Sequence, residues 1–105
     1  MIKAVVFVPI RSNQGHTFPR RAWQDLLAQL QRFGGVTVEP AVSGRWLSGG
    51  RWYDESMLPH VVALTSWRQI PVWLAIVEWA QAHFEQEAMY IEIAGQPEII
   101  DFRAG

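Results

Sequence analysis

The sequence predicts an α+β fold of the ferredoxin-like kind, in the order β-α-β-β-α-β. That plan is a four-stranded antiparallel sheet with two helices on one face, here with a candidate short extra strand at the C-terminus. Three observations carry the prediction. Runs of β-type residues and stretches of helical periodicity alternate in that order. Each helical stretch presents one apolar stripe. Glycine and proline mark the joints between them.

The first strand is Ile2 to Val8, almost continuously apolar and rich in β-branched residues. A run of that kind reads as a strand buried on both faces. "RSNQGH" (Arg11 to His16) is a polar loop, and Pro19 suits a first helical turn, where its missing N–H is not needed. Trp23, Leu26, Leu27, Leu30 and Phe33 follow at helical spacing, and Gly34-Gly35 supplies the stop. Val36 to Trp46 alternates with period two, while Pro40 and Gly44 mark it as an edge strand or a bulged one. Ser48-Gly49-Gly50 turns the chain, "DESMLP" is expected to loop outward, and His60 to Thr65 forms the next strand. Ser66 and Gln69 resemble a capping box, but Pro71 moves the regular helix to begin near Ile70. Trp73, Ile76, Val77, Ala80 and Phe84 make the second stripe. Ala88 to Ala94 alternates again, and "EIIDF" adds the candidate extra strand.

The chain of 105 residues reads as one domain, residues 1–105, without a linker or a long repeat. Half of it is apolar and 18% is charged, a composition that buries a core rather than staying disordered. There is no cysteine, hence no disulfide, thiolate nucleophile or cysteine-held zinc, which fits a cytoplasmic protein. A net charge of −1 offers no basic field for phosphates, so no nucleic-acid partner is expected. No apolar stretch is long enough to span a bilayer, and "IKAVVFVPI" lacks the cleavage site of a signal peptide, so no membrane partner is expected.

The predicted plan leaves one sheet face without helices. On the first strand, Ile2, Ala4, Val6 and Val8 point one way and Lys3, Val5, Phe7 and Pro9 the other, so either choice leaves large hydrophobes uncovered. A solvated face of an antiparallel sheet reads polar. An apolar one marks an interaction surface, and a homodimer meeting sheet to sheet is the simplest cover.

"GRWLSGGRWYDES" repeats Gly-Arg-Trp on either side of a flexible turn. Arg45, Trp46, Arg51, Trp52 and Tyr53 would suit an anionic or planar ligand. Equally, Trp46 and Trp52 would stack across the hairpin, with Arg45 and Arg51 paired to Asp54 or Glu55. Arg11, Asn13 and His16, between a strand and a helix, would suit an anion. The sheet and its edges contribute Glu39, His60, Tyr90 and Glu92. The binding candidates are therefore Arg11, His16, Glu39, Arg45, Trp46, Trp52, His60, Tyr90 and Glu92. No catalytic residue is assigned. His83, Glu85 and Glu87 are spaced so that a helix would split them between faces, so no metal and no cofactor is expected. Glu85 and Glu87 oppose the dipole at a helix C-terminus, which predicts that an arginine, from among Arg45, Arg51 and Arg68, pairs with the Glu87 carboxylate.

The hairpin with "DES" after it and "QEAMYIEI" at the last strand resemble small bacterial proteins of uncharacterised function. Those carry a Gly-x-Trp hairpin and a Gln-Glu before the final strand. The resemblance spans roughly Gly44 to Ile93 and implies a compact α+β domain, without an activity. The reading that results is a small soluble domain without catalysis, with a binding or assembly role through its open sheet face and an unnamed ligand. The alternatives are a small-molecule enzyme using His60, Glu39, Glu92 or Arg45 on that face, and an RNA-binding sheet with Phe7 and Tyr90 as stacking platforms.

Overall fold

β1 (Ile2–Pro9) is the spine of the sheet, hydrogen-bonded on one side to β4 (Arg51–Leu64) and on the other to β5 (Met89–Ile93). Further out lie β2 (Thr37–Val38) and β3 (Val42–Ser48), both beside β4, and β6 (Gln96–Ile100) beside β5. All the pairings are antiparallel and the order is β2-β4-β1-β5-β6, with β3 also on β4. The two helices are α1 (Arg20–Leu30) and α2 (Ile70–His83). This computed structural model describes residues 1–104, without the side chains of Trp46, Ser48 and Ala104.

The sheet has six strands, where the sequence suggested four with a short addition. The edge run breaks into β2 and β3 at Glu39 to Ala41. Val38 lies opposite His60 and Val42 opposite Met57, so the edge carries one extra residue there. That is a bulge, and it answers the proline at position 40. Pro59 sits opposite the same break, where its missing N–H costs no ladder bond on that edge, while its carbonyl accepts from the Glu39 N–H at 3.0 Å. "DESMLP" does not loop outward. Asp54 and Glu55 keep strand alternation because β3 lies alongside them, Arg45 opposite Asp54 and Gly44 opposite Glu55. "EIIDF" contributes its first part to β6, which reaches back to Gln96.

The helix boundaries follow their signals. Pro19 is the cap residue of α1, and Gly34 closes the 3-10 turn after it with φ 96°, a left-handed conformation that glycine adopts without strain. Ser66 caps the turn before α2 by accepting from the Arg68 N–H at 3.1 Å. Gln69 reaches back to the Thr65 N–H at 2.7 Å, one residue earlier than a capping box would.

Both helices lie on one face. Ala4, Val6 and Val8 of β1 share a core with Leu26 and Leu30 of α1 and with Trp73 and Val77 of α2. This leaves Lys3, Val5, Phe7 and Pro9 on the other side, which continues through Pro59 and Val61 of β4 and Tyr90 and Glu92 of β5 by register. Val5 is nevertheless only 3% exposed.

Candidate functional site

The helix-free face runs past the end of β1 onto a two-stranded ribbon. The last β1–β4 pair is Pro9 with Met57, so residues 51–56 of β4 have only β3 beside them, apart from one bond from the Ile10 N–H to the Ser56 carbonyl. The ribbon closes at Gly49 and Gly50, whose φ values of 59° and 75° make the two-residue turn matched to strand twist. It exposes large apolar side chains. Leu47 and Trp52 are each 56% exposed and Tyr53 is 41% exposed.

Arg45 touches two neighbours on the ribbon. Its guanidinium lies 3.3 Å from the Asp54 carboxylate and 5.0 Å from the centre of the Trp52 ring. Arg51 lies 5.7 Å from the Tyr53 ring. The register sets Trp52 opposite Leu47 and the Trp46 backbone opposite Tyr53, so the two tryptophans are not cross-strand partners. The Trp46 side chain lies outside the described residues.

At the base of the ribbon, Ser43, Gly44, Arg45, Asp54, Glu55 and Ser56 line an open hollow of about 350 Å³. Glu55 is the unusual group in it. Its Oε2 atom is buried and has no hydrogen-bond partner among the described residues. Burial pushes its carboxyl pKa above the ordinary value. Strand alternation puts Glu55 in phase with Tyr53 and Met57, and Gly44 opposite it brings no side chain to pair with it. A carboxylate so placed favours a ligand that donates hydrogen bonds, and it can also retain a proton more readily than a solvated acid.

The other sequence candidates are scattered. Tyr90 packs against Phe7 with ring centres 4.6 Å apart and planes tilted by 52°. Glu92 is half-buried on the same face, opposite Val5 and Pro97. Glu39 is exposed at the bulged edge. Arg11 and His16 belong to a tight loop, in which Arg11 bridges to Thr17 and the His16 N–H meets Ser12 Oγ at 3.1 Å. His60 lies on the helix side, 2% exposed and stacked parallel to Trp23 at 6.0 Å. Its Nδ1 is 3.0 Å from the Leu58 carbonyl, and burial lowers its pKa more than that contact raises it.

A second cluster pins the C-terminus. The Gln81 amide, 2% exposed, donates to the carbonyls of Gln86 and Glu87 and to the Asp101 carboxylate, and accepts from the Phe102 N–H. Arg103 binds Asp101 and donates to the Glu87 carbonyl at 2.7 Å. Arg103 and Gln81 hold the Asp101 carboxyl well below the usual carboxylate range. The expected arginine pair with the Glu87 carboxylate is absent among the described residues; Arg103 instead donates to the Glu87 backbone oxygen. Arg45, expected as one candidate, is engaged with Asp54 instead. Sequence spacing could not show this because Arg103 follows β6, whose position only the sheet decides.

Among the described residues no group of three His, Asp or Glu side chains is placed to hold a metal ion, and no helix is long and apolar enough to cross a membrane. No family model and no curated protein matches the chain. Solved structures do share its fold. A phage SAM lyase bound to S-methyl-5'-thioadenosine superimposes with a TM-score of 0.73 at 18% identity, over 95% of this chain and 88% of that one. The apo form of a phage SAM lyase gives 0.68 at 17% identity, with the same coverage. The divalent cation tolerance protein Cut A1 of Thermus thermophilus gives 0.54 at 15% identity, over 95% and 81%. The chain therefore has the α+β fold of these proteins, two helices against an antiparallel sheet. At these identities the likeness concerns the fold.

Proposed function

We infer that this chain is a self-associating small-molecule binding domain. A second copy covers the helix-free face, and the ligand sits in the hollow at the base of the ribbon, against Glu55. The observation that carries the reading is the buried, unpartnered Glu55 oxygen. A desolvated carboxylate without a partner is costly, and a ligand that donates hydrogen bonds offsets that cost. Arg45 lines the same hollow and adds a cation, and Tyr53, in phase with Glu55 along β4, adds an aromatic surface. The four-strand core order β2-β4-β1-β5 supports the ferredoxin-like description, with β3 and β6 as additions.

The ligand class to test first is an adenosyl thioether or sulfonium. A neighbour of the same fold is a SAM lyase and binds S-methyl-5'-thioadenosine. Such a molecule offers ribose hydroxyls and an amino group as donors to Glu55, and a flat ring for the ribbon aromatics. A catalytic version of this reading is favoured by one feature, the Glu55 carboxyl whose pKa burial raises, so that it holds a proton more readily than a solvated acid.

Calorimetric titration with S-methyl-5'-thioadenosine should show saturable binding. Glu55→Gln should weaken it by about tenfold or more while the unfolding midpoint holds. Incubation with SAM, followed by chromatography of the products, separates an enzyme from a binder. No heat and no turnover at millimolar ligand would defeat the adenosyl reading. Binding unchanged in Glu55→Gln would defeat the role of Glu55.

A further inference from the structure

The helix-free face carries two opposite charges beside its centre. Glu92 on β5 lies opposite Val5 of β1, and Lys3 is the next β1 residue on the same face. The ion pairs among the described residues involve other side chains, so neither is paired within its own chain there. Around them the face is apolar, with Val5, Phe7, Val61 and Ile99. Covering such a face buries the two charges, and a buried charge needs a partner. A cover of unrelated chemistry would have to bring one acid and one base at the right separation. A second copy brings them by symmetry, because a two-fold interface sets residue i against j and j against i.

We propose that Lys3 of each copy pairs with Glu92 of the partner copy, and that this double ion pair fixes the register of a sheet-to-sheet dimer. The proposal rests on the self-association reading above and adds how the partner is recognised. Stacked sheets lie about 10 Å apart, and a lysine and a glutamate reaching from opposite sheets span that gap. A two-fold axis passing beside Val5 places both pairs at once. The pairs select the arrangement more than they strengthen it, since the attraction is offset by desolvation.

Charge reversal tests this. Sedimentation equilibrium over a micromolar to millimolar range would compare the wild type, Lys3→Glu, Glu92→Lys and the double reversal, each with its unfolding midpoint measured. Each single reversal sets like charges together and should raise the dimer dissociation constant by about tenfold or more. The double reversal restores both pairs and should return to within about threefold of the wild type. Single variants that associate normally, or a double variant as weak as the singles, would overturn the pairing. Phe7→Asp distinguishes the two levels. If it abolishes association while the charge variants do not, the sheet interface stands and the pairing falls. A wild type that stays monomeric throughout removes both.

Discussion

Gln81 and Glu55 both carry polar atoms out of solvent, and the two are treated in opposite ways. Gln81, near the end of α2, has both ends of its amide engaged, and its partners tie three segments together. Glu55, at the base of the ribbon, has a buried oxygen with no partner among the described residues. A buried polar group with every bond made behaves as a structural rivet. One left open is a poor stabiliser. The difference comes from position. Gln81 faces a turn and a chain end, both rich in backbone acceptors and donors. Glu55 lies on a strand whose own backbone groups are engaged with β3.

The largest expected effect breaks the rivet. Gln81→Leu removes the amide and leaves the Gln86 and Glu87 carbonyls and the Phe102 N–H short of a partner. It should cost about 3 kcal/mol, read by urea unfolding, and hydrogen exchange should rise after Ile100. A loss below about 1 kcal/mol would mean that water replaces the network and that the contrast with Glu55 is false.

Glu55→Gln should go the other way. Stability near neutral pH should be unchanged or higher by up to about 1 kcal/mol, because a neutral amide tolerates burial better than a carboxylate. The pH dependence has a definite sign. The folded pKa is raised, so between the unfolded and folded values the folded state holds the extra proton. Stability from this group therefore falls as pH rises through that window, and is not recovered above it. Glu55→Gln should flatten that limb. A marked destabilisation instead would show that Glu55 is a structural group like Gln81.

Trp52→Ala should have the smallest effect on the isolated chain. The ring is largely exposed and its described contact is with Arg45, an interaction of about 0.5–1 kcal/mol at such sites. Thermal unfolding of the monomer reads this directly. A loss several times larger would mean that the ring packs more deeply than its exposure indicates, and that the ribbon belongs to the core rather than to a binding surface.

The parts that were legible in the sequence are those fixed by neighbours along the chain. The β1 alternation, the two helical stripes, Gly34 as a stop, the start of α2 at Ile70 and the Gly49-Gly50 turn all follow from side-chain period and backbone freedom within a few residues. The bulge at Pro40 was legible for the same reason, since proline removes a donor wherever it stands. That the hairpin arginines would meet Asp54 or Glu55 was legible from the tight turn, while the choice of Asp54 for Arg45 came from the register.

Only the tertiary structure decided the rest. Asp54 and Glu55 read as a polar loop until β3 is laid beside them, since charge alone does not say whether a ladder partner exists. His60 was a candidate for the open sheet face, yet its phase on β4 turns it towards α1. Arg103 reaches Glu87 because β6 carries the chain end back past α2, a contact between segments that one-dimensional spacing cannot rank. Glu55 lacks a cross-strand side-chain partner because the register sets Gly44 opposite it. Local sequence sets which conformations are cheap, but desolvation is a property of everything that surrounds a group, and that is assembled only when the sheet closes.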